Sequence, residues 1–228
     1  MSNLLFIFTE VGENVTDTVN LVAIILLAVL IVLAVVFSIK NKMRTQEIAY
    51  AGIAIAASFV LSYVKFSPVE HGGSVTLASF VPIILYSFVF GFSRGLIAGF
   101  IYGVLQFIQS PYILTPATFL LDYLLPFAMI CLAPLSKKVC KNQDLQVVLS
   151  ATFVYFARFI MHFLSGIIFF EMGSVWAKLP ATTSVTYSLL YQTVYLVPDF
   201  VICAVCLFLL SRAHVIEKLF PKKLNENA

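Results

Sequence analysis

The chain has 228 residues, a formal charge of +3, 61% apolar residues and only 11% charged residues. Soluble domains carry about 25% charged residues, so this chain has too little polar surface to cover a water-soluble globule. The composition excludes a soluble enzyme, a nucleic-acid-binding module and a disordered chain, and it predicts a polytopic protein in the lipid bilayer.

The predicted elements are apolar helices, because a spanning helix needs about 20 mostly apolar residues. No segment shows the alternation of an outer-membrane barrel, so the fold class is an all-α membrane protein. The first span is predicted to be a retained additional helix, not a signal peptide, because Lys40, Lys42 and Arg44 follow it. The predicted spans are 18–39, 46–64, 74–91, 93–109, 113–135, 146–170 and 185–211.

The distribution of basic residues predicts the orientation. With the N-terminus outside, 11 of the 14 Lys and Arg residues face the cytoplasm, only Lys65 and Lys178 lie outside, and Arg158 is within a span. This is a strong positive-inside signal. Residues 1–17 are then an extracellular tail, 46–212 the membrane core and 213–228 a cytoplasmic tail.

Two sets of small residues follow helical spacing. Gly91, Gly95, Gly99 and Gly103 recur every four residues, a pattern that lets helices approach closely in lipid, and internal packing is the expected role. The second span carries a further small face, formed by Ala49, Gly52 and Ala56. Its spacing alone fits internal packing or a partner protein's helix.

Four polar residues lie deep inside predicted spans, where ionisable groups are costly and are functional candidates. At a rise of about 1.5 Å per residue, Asp122 and His162 lie at similar depths of about 14 Å below the outer surface. Arg158 and Asp199 lie deeper, at about 18–20 Å. Their matched depth predicts a structural ion pair.

Asp122 and His162 are predicted to bind a ligand; the alternative is that they satisfy each other or a backbone carbonyl. A carboxylate beside aromatic rings suits a small organic cation, through ion pairing and cation–π attraction. Aromatic residues near the outer mouth are equally typical of a core or of an interfacial belt. They are Tyr112, Tyr123, Tyr187, Tyr191, Phe169, Phe170 and Trp176.

No sequence pattern supports catalysis or a bound cofactor. The chain has no phosphate-binding G-x-x-x-x-G-K-[ST] loop, no H-E-x-x-H and no G-x-S-x-G. Cys203 and Cys206 form a C-x-x-C within an apolar helix and are read as packing residues, not metal ligands. The chain is therefore expected to bind or transport a substrate, and not to be an enzyme.

Several motifs in one order carry a family resemblance over residues 45–212. They are the run 72–83 (GGSVTLASFVPI), the glycine-rich run 95–103, Leu121-Asp122-Tyr123, the run 158–163 (RFIMHF), the run 187–192 (YSLLYQ) and Pro198-Asp199. This pattern resembles the thiamine-specific substrate-binding subunits, or S-components, of energy-coupling factor transporters, the ThiT or YuaJ-like family.

The resemblance implies a six-helix S-component in the cell membrane of a prokaryote. Such a subunit captures a vitamin from outside and docks on a transmembrane coupling subunit with two ATPase subunits. The resemblance assigns substrate binding to Asp122, Tyr123, Tyr112, His162, Tyr187 and Gln192. To these we add Phe170, Trp176 and Tyr191 as aromatic neighbours. It also favours a partner interface at Gly52 and Ala56.

Two positions depart from the family's best-known form, which has glutamate and asparagine where this chain has Asp122 and Gln192. The ligand is therefore expected to be thiamine or a close analogue, including a thiamine phosphate or a pyrimidine precursor. Two other classes remain open on the residues alone. One is a proton-coupled carrier of a small cationic vitamin, and the other is an intramembrane enzyme that uses His162 and Asp122.

Overall fold

The computed structural model describes residues 21–22, 24–25, 43–69, 73–112, 114–173, 175–176 and 178–220. The predicted additional span 18–39 lies outside the described residues except for residues 21–22 and 24–25, which are helical. The predicted N-terminal tail and the last part of the C-terminal tail also lie outside them.

The described part of the chain contains six main helices and one short C-terminal helix. The main helices are α1 (Thr45–Leu61), α2 (Val81–Phe90), α3 (Phe92–Gln109), α4 (Pro116–Val139), α5 (Gln143–Glu171) and α6 (Ser184–Arg212), and α7 (Val215–Leu219) follows. Helices α4, α5 and α6 are long and apolar enough to cross a membrane. The predicted all-α membrane fold is confirmed.

The predicted third span, 74–91, is wrong in its first half. Two strands, β1 (Lys65–Pro68) and β2 (Ser74–Thr76), pair antiparallel, with Lys65 opposite Thr76 and Pro68 opposite Ser74. The β-branched pair Val75-Thr76 favours a strand, and the Asp199 carboxylate takes the Thr76 N–H that a helix would use. Helix α2 begins only at Val81, with Pro82 in its first turn, where a missing N–H costs nothing.

Glycines set the contact between α3 and α4. A Cβ at Gly103 would collide with the Tyr123 carbonyl oxygen, and one at Gly99 with the Phe127 carbonyl oxygen. Gly91 has a different role, because it forms the sharp junction between α2 and α3. Its φ of 95° lies in a region that glycine adopts readily, and a Cβ added there would contact no described atom within 4 Å. The expected internal packing is thus confirmed for the later glycines of the set, and Gly91 serves the turn.

Helix α4 is irregular where it carries Asp122. Residues Leu120–Leu124 form a π-helical turn, and residues Met129–Leu135 form a 3₁₀ segment that contains Pro134. Pro126 has no N–H to donate to the carbonyl of Asp122 four residues earlier, so a regular α-helix cannot continue through this point. π-helical turns inside helices are frequent at functional sites, and this one turns Asp122 toward α5.

Polar contacts tie the helices together at the end of the bundle opposite the hairpin. Arg94 Nε of α3 lies 3.2 Å from the buried Glu47 carboxylate of α1. Ser211 Oγ of α6 donates to Asp144 of α5 at 2.6 Å. Since α4 and α6 begin at the hairpin end and α5 returns to it, the first turns of α4 and α6 lie beside the last turns of α5.

Candidate functional site: a polar, aromatic cavity

A cavity of about 120 Å³ lies at the hairpin end of the bundle. This volume is roughly ten times what a single buried water needs, so the cavity suits a small organic molecule. Helices α3 to α6 and the hairpin all contribute to its walls. Seven of the nine predicted substrate-binding residues line it: Tyr112, Asp122, Tyr123, His162, Tyr187, Tyr191 and Gln192.

Asp122 is held by two side chains of α5. Its Oδ1 lies 3.0 Å from His162 Nδ1, and its Oδ2 accepts a hydrogen bond from Ser165 Oγ at 2.6 Å. A carboxylate only accepts, so this hydrogen bond requires the His162 tautomer that carries a proton on Nδ1. The Asp122 side chain keeps 20% of its surface exposed, which leaves part of the carboxylate available to a ligand in the cavity.

One polar side-chain atom of His162 and one of Gln192 form no hydrogen bond with the described residues. Gln192 Nε2 donates to the His162 carbonyl oxygen at 2.9 Å, which fixes the amide. Gln192 Oε1 and His162 Nε2 are both buried without a hydrogen-bond partner among the described residues. Buried polar atoms are costly unless they are satisfied, so these atoms point to a ligand that supplies the missing partners.

Arg158 and Asp199 do not form the predicted ion pair. The Asp199 carboxylate instead accepts hydrogen bonds from Thr76 and from Tyr155 Oη. The Arg158 guanidinium lies 3.8 Å from the centre of the Phe80 ring, and its Nε and Nη1 are buried without a partner in the part of the chain that the structure describes. The prediction was wrong because depth along the membrane does not fix which way a side chain turns. Both residues line the cavity.

Aromatic rings form much of the remaining wall. Tyr112 stacks on Phe169 at a centroid distance of 5.5 Å, and Tyr187 stacks on Tyr191 at 5.7 Å. Tyr123 donates to the Ser110 carbonyl oxygen at 2.6 Å and so braces the segment before α4. These flat apolar faces beside a carboxylate suit a cationic aromatic ligand.

Phe170 and Trp176, both predicted to bind substrate, do not line the cavity. Phe170 packs behind Tyr187, and the Trp176 ring meets Tyr191 edge-on at 6.2 Å. The Trp176 backbone N–H also donates to Tyr187 Oη at 3.0 Å. Both rings therefore pack against tyrosines that line the cavity.

The structure adds wall residues that were not predicted to bind substrate. Gln106 and Tyr195 lie on polar helix stripes, a signal that the sequence does carry. Phe80 and Phe127 carry no such signal, because the chain has 22 phenylalanines and most fit a core equally well. Gly73, Ser74 and Thr76 enter the wall through the hairpin, which the predicted helix there concealed.

The predicted partner interface is an exposed surface. Ala49, Gly52 and Ala56 are all exposed on α1, and a Cβ added at Gly52 would meet no atom of the described residues within 4 Å. Their neighbour Ile53 is 67% exposed. Internal packing against the described residues is therefore not the role of this face.

Apolar spanning helices around a polar, aromatic cavity are typical of membrane proteins that bind a small organic molecule. The family model described as "Thiamine transporter protein" (Thia_YuaJ) matches residues 48–218. The chain belongs to this family, so it is a multi-pass membrane transporter and not an enzyme. The predicted resemblance is confirmed.

Two relatives illustrate the match. The chain is 37% identical over 183 residues to the thiamine transporter ThiT of Bacillus subtilis. The matched region covers 75% of this chain and 91% of that protein. Its fold is similar to the solved structure of ThiT from Listeria monocytogenes, with a TM-score of 0.62 and 18% identity. That similarity covers 76% of this chain and 96% of the other.

Proposed function

We propose that this chain is a high-affinity substrate-binding subunit for thiamine uptake, which captures thiamine from outside the cell. The observation that carries the proposal is the Asp122–His162 pair in the wall of an aromatic cavity. Thiamine joins a permanently cationic thiazolium ring to an aminopyrimidine. A carboxylate among aromatic rings stabilises the cation, and the unpartnered Gln192 Oε1 is suited to accept from the amino group.

The charges in the cavity wall agree with a cationic ligand. Asp122 and Asp199 contribute two carboxylates, while Arg158 contributes one buried guanidinium. Lys65 also touches the cavity, but it is exposed at the hairpin and is screened by water. Without the exposed Lys65, the formal charge of the lining residues is therefore negative.

We further propose that the subunit has its C-terminus in the cytoplasm. The cavity lies at the hairpin end, and the basic residues Lys137, Lys138, Lys141 and Arg212 lie at or beyond the opposite helix ends. The positive-inside rule places that basic end in the cytoplasm. The cavity is then accessible from outside, as uptake requires.

The energy source in this proposal is a separate energy-coupling module, formed by a transmembrane coupling subunit and two ATPase subunits. Docking takes place at the exposed small face Ala49, Gly52 and Ala56. Small residues on a lipid-exposed helix allow the backbone of another helix to approach closely.

Two experiments test the two halves of the proposal. Purified full-length protein is titrated with thiamine by isothermal calorimetry; tight, saturable binding is expected, and no detectable binding of thiamine contradicts the assignment. Uptake of radiolabelled thiamine is then measured in cells that co-express the coupling module. Uptake that needs the module and ATP supports docking, whereas uptake driven by a pH gradient without any ATPase contradicts it.

Gly52→Leu tests the docking face. It adds bulk where no described residue lies, so thiamine binding by the purified protein should be unchanged. Uptake and co-purification with the coupling subunit should fall at least about tenfold, because the helices can no longer approach. The matched control is Thr193→Leu, which adds an apolar side chain at an exposed position of α6. Equal losses in both variants, or no loss in Gly52→Leu, count against this face.

A further inference from the structure

Asp199 is a buried carboxylate whose hydrogen bonds all come from other parts of the fold. It lies in the middle of α6 and is 4% exposed. Its Oδ1 accepts from the Thr76 backbone N–H at 2.9 Å and from Thr76 Oγ1 at 2.8 Å. Its Oδ2 accepts from Tyr155 Oη at 2.6 Å. A buried carboxylate that forms no salt bridge with any described residue depends on such donors, so these bonds are strong and specific.

Thr76 and Ser74 belong to β2, which forms part of the cavity wall together with the preceding Gly73. The hairpin has strands of only four and three residues, and its register is irregular between Lys65 and Ser67. A two-stranded hairpin of this size is marginally stable by itself. The position of this wall therefore depends on contacts that the helices make with it.

We propose that Asp199 is a positioning residue for ligand binding: its carboxylate fixes β2 to α6 through Thr76, and so holds the hairpin wall of the cavity in place. This inference rests on the proposed function, because thiamine is the ligand whose binding it concerns. Thr76 Oγ1 also lies 2.7 Å from Ser79 Oγ, so the same hydroxyl ties β2 to the turn that leads into α2.

Asp199 also lines the cavity, so a direct effect of its charge on the ligand has to be separated from its effect on β2. Substitutions at Thr76 make it possible to separate the two effects. If the Thr76 hydroxyl acts through Asp199, removing it should have no further effect on ligand binding in a variant that lacks the carboxylate. If the hydroxyl acts independently, its removal should weaken binding in that variant as well. A double-mutant cycle measures this difference.

The ligand experiment compares dissociation rates of thiamine from purified full-length variants. Thr76→Val, which removes the hydroxyl but keeps the shape, should speed dissociation about tenfold, as expected for a lost bond to a charged group. Asp199→Ala should have a larger effect, and the double variant should equal Asp199→Ala alone. Thr76→Ser, which keeps the hydroxyl, should retain the rate of the unmodified protein. If Asp199→Ala does not fold, Asp199→Leu, which also removes both oxygen acceptors but fills the buried space, replaces it in the cycle.

Tyr155→Phe is the matched control. It removes the other hydrogen bond on Asp199, which comes from α5 and goes to Oδ2, but it leaves both Thr76 bonds to Oδ1. Its thermal stability should fall while its dissociation rate stays within about twofold. A rate change as large as that of Thr76→Val would overturn the proposal, because Asp199 would then act as a general structural residue.

A second measurement needs no ligand. Backbone amide exchange of residues 73–79, followed by mass spectrometry, should speed up at least about tenfold in Asp199→Ala, which removes the acceptor of both Thr76 bonds, whereas α5 should remain protected. Unchanged exchange in 73–79, or additive effects in the double-mutant cycle, overturns the positioning role. If the unmodified protein does not bind thiamine, the proposed function fails, and amide exchange alone still decides whether Asp199 holds β2.

Discussion

Asp122 and His162 form a hydrogen-bonded pair between α4 and α5, with Oδ1 and Nδ1 3.0 Å apart. The pair unites two readings that were alternatives in the sequence: the residues satisfy each other, and both also line the cavity. The imidazole fixes one carboxylate oxygen and Ser165 fixes the other, so the carboxylate is already oriented before a ligand enters. Such preorganisation reduces the free-energy cost of binding.

Replacing the Asp122 carboxylate should weaken thiamine binding strongly. Asp122→Asn keeps the shape but removes the charge that stabilises a cation, and we expect the Kd to rise about a hundredfold or more. Isothermal calorimetry on the purified protein measures this. Asp144→Asn is the control, since Asp144 lies at the far end of α5 and does not line the cavity. A Kd within threefold of the unmodified value for Asp122→Asn would contradict the assignment.

Ser165→Ala should weaken binding less than the loss of the carboxylate. The serine does not line the cavity but donates to Asp122 Oδ2 at 2.6 Å, so its removal lets the carboxylate turn. We expect a rise in Kd of about tenfold. Ser150→Ala on the same helix removes a buried hydroxyl that bonds to the Ala133 carbonyl oxygen, far from Asp122. It should lower stability and leave Kd unchanged; similar Kd values for the two variants would argue against the role of Ser165.

Replacing Gly103 and Gly52 with alanine should change the stability of the protein in opposite directions. Gly103→Ala drives a Cβ into the Tyr123 carbonyl oxygen and should lower the free energy of unfolding by about 1–3 kcal/mol. Gly52→Ala adds a Cβ in open space and should raise it by about 0.5–1 kcal/mol through helix propensity. Thermal unfolding in detergent checks the signs. Equal changes in both variants would show that α3 and α4 are not in backbone contact at Gly103.

Trp176 should report ligand binding without contacting the ligand. It is the only tryptophan of the chain, and its ring packs edge-on against Tyr191, which lines the cavity. Saturation with thiamine should therefore change its emission. Trp176→Phe should lose the signal and raise the Kd, measured by calorimetry, by less than about tenfold, because an aromatic ring still supports Tyr191. A much larger loss of affinity would place Trp176 among the direct ligand contacts.

The sequence by itself determined that the protein folds in lipid and which segments are long and apolar enough to span it. Apolar segments of spanning length predict the helices because a backbone in lipid has to satisfy its own hydrogen bonds. The rarity of ionisable residues in these segments singles out Asp122, His162, Arg158 and Asp199, since each is costly in lipid. The seven predicted residues that line the cavity follow from that cost together with the family resemblance.

Only the tertiary structure decided how these groups are used. Depth along a helix predicted an ion pair between Arg158 and Asp199. In the structure, the direction of each side chain and the position of β2 lead the Asp199 carboxylate to accept hydrogen bonds from Thr76 and Tyr155 instead. The hairpin was missed because its strand contacts join residues far apart in the chain: the Thr76–Asp199 bond spans 123 positions. Local sequence determines helix propensity and burial, whereas such long-range partners exist only once the bundle has formed.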